Sequence, residues 1–158
     1  MDKLVIDNDI LFPEVLSLLD KGKQVVIPCK GVSMLPFIRQ GLDTVKLEKA
    51  GSVKRGDIVL FVYKGKYVLH RVWKIERDTA LMMGDGVLKN REKCRTTDIY
   101  GKAVEILKNG SRPVFPDSSV EKLKAELWRL LLPLRRYLLA AIRLLPEYRR
   151  SVNFFRNA

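Results

Sequence analysis

The chain has 158 residues but only two cysteines, Cys29 and Cys94, and a single histidine, His70. Two thiols are too few for a disulfide framework. Together with one imidazole they are too few for a zinc site, so we read them as core thiols and expect neither metal nor cofactor. No run of roughly 20 apolar residues appears, which is what a helix needs to cross a bilayer. The opening "MDKLVIDNDILFPEV" is acidic and lacks the basic start and continuous apolar stretch of a secretory signal. The expectation is a chain that neither follows the usual export route nor spans a membrane, and is cytoplasmic or held peripherally at a membrane. Internal repeats and low-complexity tracts are also missing, which sets aside repeat architectures.

Positive charge is what the chain has in excess. Thirty Lys and Arg stand against 18 Asp and Glu, a net charge of +12 that suits nucleic acid, an anionic membrane or an acidic partner without choosing among them. The excess is unevenly placed. Residues 1–118 hold 21 basic and 15 acidic residues, whereas residues 119–158 hold 9 and 3, so a quarter of the chain carries half the net charge. We therefore divide the chain near "FPDSS" into a body, 1–118, and a basic tail, 119–158.

The body opens with "NDILFPEVLSLLDKGK", where Leu11, Val15, Leu18 and Leu19 fall at helical spacing before Gly22. From Val25 to Leu107 the texture changes to short β-rich runs: "QVVIPC", "DTVKLE", "DIVLFVY", "KYVLHRVWKI", "TALMM" and "GKAVEIL". "FVYKGKYVL" reads as a hairpin. Strands this close together, with no helices between them, form an antiparallel sheet or barrel. In the tail, Ser118 and Glu121 match a capping box, and Leu123, Leu127, Leu130, Leu134, Leu138, Ala141, Leu145 and Tyr148 recur at threes and fours. Such a stripe is too apolar to face water, so it is expected on the β domain, on a partner or in a bilayer interface. Pro133 predicts a kink or two helices. Trp73, Met82 and Met83 read as core, and Asp43 and Asp57 as turn residues.

"GVSMLPFI" puts Ser33 between an apolar strand and an apolar turn. A serine hydroxyl attacks at neutral pH only with a neighbouring base and backbone donors for the developing oxyanion. The one candidate imidazole is His70 in "YVLHRVWKI". Strand alternation places it on the face of Val68 and Val72, opposite Leu69, Arg71 and Trp73.

"GVSMLPFI", "KRGDIVLF" followed by "YVLHRVWKI", and "ALMMGDG" followed by "DIYGKAVEI" occur in this order, and over residues 25–107 they resemble the signal peptidase I family, in the serine-peptidase clan it shares with the self-cleaving repressors. The resemblance implies a mainly β, compact antiparallel peptidase fold with a short N-terminal helix and an amphipathic helical C-terminal tail, α+β overall. It makes Ser33 the nucleophile and His70 the base, as in the histidine-type enzymes of archaea and the endoplasmic reticulum, with Asp85 of "GDG" orienting the imidazole and Asp98 in reserve. Met34 and Pro36 would wall the site, and Val26, Ile27 and Pro28 would pair with substrate as an added strand. This chain departs from the family pattern in four places. Arg91 lies near where the histidine-type enzymes carry further acids, Gly31 replaces the common hydroxyl residue two before the nucleophile, "RQGLDTV" is one residue longer than usual, and no N-terminal membrane anchor is seen.

The function these features imply is a serine endopeptidase acting on a peptide or preprotein, with leader or signal-like sequences as substrates. Two other readings belong to different classes. One is a non-catalytic peptide-binding or assembly module on a degenerate peptidase fold, which joint retention of Ser33 and His70 disfavours. The other is a nucleic-acid binder, disfavoured because the 24 residues before the β-rich part are too few for a helix-turn-helix. For the tail, peripheral contact with an anionic membrane stands beside packing on the chain's own sheet.

Overall fold

The computed structural model describes residues 8–153. Helix α1 (Asn8–Asp20) lays Val15 and Leu19, four residues apart and so on one face, into the core. It stops where the sequence predicts. The Lys23 amide donates to the Leu18 carbonyl and the Gly22 amide to Leu19, closing the helix end with Gly22 at a φ of 73° that a residue without Cβ adopts freely.

Eight antiparallel strands follow: β1 (Val25–Pro28), β2 (Thr44–Lys49), β3 (Ile58–Tyr63), β4 (Lys66–Glu76), β5 (Thr79–Met83), β6 (Glu92–Arg95), β7 (Ile99–Lys108) and β8 (Arg112–Val114). Their spatial order is β1-β2-β7-β3-β4-β5-β6, with β8 paired to β7. The sheet curls, bringing β6 against β3, so the fold is mainly β and α+β overall. The β3–β4 hairpin turns on Lys64 and Gly65, both at positive φ, the combination a two-residue turn needs to match strand twist. β6 and β8 are strands that the sequence reading did not anticipate. "EKCR" and "RPV" are short and carry little β-branched or aromatic character, so only their neighbours make them strands.

One core cluster joins α1 to β1, β2, β3 and β7 through residues such as Val15, Leu19, Ile27, Leu47, Leu60 and Ile106. A second lies within the curl, around Val59, Phe61, Val72, Ala80, Met82 and Cys94. Alternation on β4 holds as expected: His70 and Val72 are buried on one face.

The tail breaks where Pro133 demands. Helix α2 (Ser119–Leu130), with the Ser118 hydroxyl accepting from the Glu121 amide, gives way to a 3₁₀ turn and then α3 (Arg135–Leu144) and α4 (Pro146–Asn153). Its packing face coincides with the leucine stripe only at Leu138 and Tyr148. Ala125, Trp128, Arg135 and Leu139 face the body, where Trp128 and Leu139 meet Leu35, while Leu123, Leu127, Leu130 and Leu134 are exposed. An indole offers a large contact area and has an N–H to satisfy, so Trp128 sets which face turns inward. No helix among the described residues is long and apolar enough to cross a membrane.

Asp43 is more than a turn residue. At 1% exposure it accepts from the Arg39 amide and guanidinium, from Lys108 Nζ and from the Asn109 amide, joining the end of the Ser33 loop to the β7–β8 turn. Burial pushes its carboxyl up, but the Arg39 and Lys108 hydrogen bonds and charges outweigh burial and hold it below the usual carboxylate range. A carboxyl depressed on folding stabilises the native state above its unfolded pKa and loses that contribution as pH falls through the folded value. Asp43→Asn is expected to cost about 3–5 kcal/mol in urea unfolding at neutral pH by removing the buried carboxylate that Arg39 and Lys108 share, leaving Arg39 only the exposed Glu147 at 3.9 Å. The deficit should shrink in acid, and a deficit independent of pH would refute the assignment.

Candidate active site

Ser33 sits in a turn built on apolar anchors. Met34, Leu35 and Ile38 are buried, the Leu35 amide donates to the Val32 carbonyl and the Ile38 amide to Met34, and this leaves Ser33 half-exposed above them. The turn is braced from before and behind. Gly31, at a φ of 88°, donates its amide to the side-chain oxygen of buried Gln40, and the Ser33 carbonyl accepts from the Gly86 amide at 2.7 Å.

His70, 6% exposed, turns Nδ1 to a carboxylate: Glu92 Oε2 lies 3.0 Å away. A carboxylate can only accept, so in the neutral imidazole Nδ1 carries the proton and the lone pair is at Nε2. That lone pair borders the serine loop. A methyl group on Gly84 would overlap the Ser33 carbonyl oxygen and lie 3.0 Å from His70 Nε2, so one methyl-sized space separates the two residues. Only glycine permits this approach, and Gly86 does the same beneath the Val32 carbonyl. Among the described residues Ser33 Oγ makes no hydrogen bond, so serine and histidine are neighbours that a substrate could still draw together.

The acid on the imidazole is thus Glu92, and the expectation for Asp85 is corrected. Asp85 is buried and pairs bidentately with Arg71, at 2.9 Å and 2.8 Å, because Arg71 leaves β4 on the face opposite His70. Burial works against the Arg71 charge, yet Asp85 keeps it above its ordinary value. Asp98 lies in the 3₁₀ turn Thr96–Asp98, where its charge acts on the Cys94 thiol. Glu92 stands one place after Arg91, where the sequence reading found no acid. The available signal was alternation within "EKC", which gives Glu92 the inward face of buried Cys94.

A cleft of about 160 Å³ opens beside Ser33, lined by Ile27, Pro28, Gly31, Met34, Tyr67 and Leu69 among others. Three of the expected wall residues, Ile27, Pro28 and Met34, are therefore at the serine. Val26 turns its side chain to solvent on β1, whereas Pro36 lines a different groove beneath the tail, which corrects the expectation for Pro36. β1 is an edge strand, hydrogen-bonded only to β2, so its other edge is open beside the cleft. Cys29 also lines the cleft, but burial, helped by Asp43, pushes its thiol up to about 12, which keeps it protonated.

The tail completes the site from below. Trp128 Nε1 donates to the Asp85 carbonyl at 2.8 Å, and Arg135 donates to the Val87 carbonyl at 3.0 Å and to the Trp128 carbonyl at 3.1 Å. Arg135 is 2% exposed with its guanidinium over the indole, and burial lowers its pKa. The Gly84–Val87 loop is therefore held by the body through Arg71 and by the tail through Trp128 and Arg135. The contacts of Trp128 with Asp85 and of Arg135 with Val87 escaped the sequence reading because no spacing rule links residues 43 and 48 positions apart, and nothing in the local pattern marks Gln40 as the acceptor for Gly31.

Comparison with protein-family models and with curated proteins finds no match for this chain.

Two carboxylates with different partners should separate by substitution. In imidazole nitrogen NMR, Glu92→Ala is expected to shift His70 away from the Nδ1-protonated tautomer with little loss of fold. Asp85→Asn should leave that tautomer in place but cost about 3–5 kcal/mol of stability by orphaning Arg71. The reverse pattern would return the orienting role to Asp85.

Proposed function

We propose that the protein is a serine endopeptidase with Ser33 as nucleophile, His70 as general base and Glu92 as the acid that orients it. The observation that carries this reading is an imidazole that meets Glu92 at Nδ1 and, at Nε2, borders the same space beside Gly84 that the Ser33 carbonyl borders. Ser33 Oγ attacks the scissile carbonyl carbon and His70 Nε2 takes the hydroxyl proton. Glu92 then faces the imidazolium, which its charge stabilises. The Ser33 amide, which donates to no protein acceptor among the described residues, is the donor proposed for the oxyanion. His70 returns the proton to the leaving amine, and water then cleaves the acyl-enzyme with the imidazole again as base, restoring Ser33.

The open edge of β1 beside the cleft supports an extended peptide added as a strand, with main-chain hydrogen bonds for affinity and the cleft for one side chain. The cleft takes a small or medium side chain, which agrees with leader or signal-like peptides as substrates.

A serine-directed phosphonate probe tests the reading. It is expected to label the wild type and not Ser33→Ala, and His70→Ala should lose labelling as well. Against a cleavable peptide, Ser33→Ala and His70→Ala should each abolish turnover, and the double variant should be hardly worse than either, because the two act as one unit. Full turnover by Ser33→Ala would end the proposal, and peptide binding without labelling would identify a non-catalytic binding module.

A further inference from the structure

The leucines of the tail are left facing outward by the same helices whose inner face grips the Gly84–Val87 loop. In α2 and the turn after it, Val120, Leu123, Leu127, Leu130, Leu131 and Leu134 are all exposed, Leu130 at 67%, and they recur at three- and four-residue steps. In α3, Tyr137 at 71% and Leu144 at 72%, seven positions apart, share a face. A run of large apolar side chains of this extent is rare on a surface that meets only water. Cations stand beside it. Arg136 and Arg143 precede Tyr137 and Leu144 directly, and Lys124 and Arg112 line the groove that Leu127 and Leu131 enter. The acids of α2 are already spent on neighbours, Glu121 on Lys124 and Glu126 on Arg129, and Arg112, Arg136 and Arg143 have no ion-pair partner among the described residues.

We infer that the outward face of α2 and α3 is a docking surface for an anionic lipid bilayer, on which the helices lie in the plane of the interface. Leucines would enter the acyl boundary, Tyr137 would sit at headgroup depth, and Arg112, Arg136 and Arg143 would meet lipid phosphates. Charge decides among occupants. A second copy would bring the exposed, unpaired Arg136 and Arg143 of two tails face to face. An anionic bilayer offers the opposite charge together with an apolar layer. Crossing the bilayer is excluded for these helices by their length and composition. The inference is independent of the peptidase reading.

Flotation of the full-length protein with phosphatidylglycerol–phosphatidylcholine vesicles tests it. Binding is expected at low salt, weak to pure phosphatidylcholine and lost as salt rises. Leu123→Gln with Leu130→Gln should reduce binding at least tenfold while leaving the melting temperature unchanged, because both side chains lie mostly in water, 61% and 67% exposed. Arg136→Ala with Arg143→Ala, which removes no packed side chain, should weaken binding roughly 30-fold and flatten the salt dependence. Absence of binding to anionic vesicles at low salt would overturn the inference. So would equal binding by all variants, or concentration-dependent dimerisation that the leucine substitutions abolish.

Discussion

The ion pair between Arg71 and Asp85 is the contact on which the candidate site is built. Arg71 also donates to the Gly56 carbonyl and lies over the Phe37 ring, so one guanidinium connects β4, the turn before β3 and the end of the Ser33 loop to the Gly84–Val87 loop. Two adjacent residues of β4 thereby serve the site from opposite faces. His70 points into the curl of the sheet toward Glu92, and Arg71 points out of it toward Asp85. The two-residue period of a strand makes this division automatic.

Glycine completes what the ion pair begins. Arg71 and the tail press the loop against the Ser33 turn, and Gly84 and Gly86 let backbone meet backbone there. Any side chain at either position would push the serine turn off the imidazole. Close approach therefore explains both glycines of "GDG", and ion pairing explains the aspartate between them. A motif that reads as catalytic in the sequence is, in this geometry, the floor on which the proposed catalytic residues stand.

The tail has two faces with different surroundings. Its inner face carries Trp128, Arg135 and Leu139, whose polar atoms find loop carbonyls and whose apolar surface covers Leu35. One consequence is that the buried Arg135 serves backbone carbonyls and no carboxylate, and among the described residues its Nε has no partner. A charge kept in such a place is costly, which ties the register of the tail on the body to this one residue. Its outer face is the leucine surface. A helix with apolar residues around most of its circumference cannot declare from periodicity alone which stripe will be packed.

Local chemistry was enough to determine α1 and its glycine stop, six strands, the β3–β4 turn and the break at Pro133, and it marked Ser33 and His70 as side chains whose chemistry suits the proposed acyl transfer. Each follows from period, turn propensity or side-chain chemistry within a few positions. Tertiary structure decided the rest. β6 and β8 exist because partners supply the ladder that their own residues do not favour, and Glu92 became the acid of His70 through β5–β6 pairing across 22 positions. Asp85 was taken by Arg71, which only the third dimension brings near, and Trp128 outweighed the leucine stripe once there was a carbonyl for its indole N–H to reach. Period and propensity act through neighbours in the chain, whereas a buried charge or N–H is settled by whichever partner folding places within 3 Å.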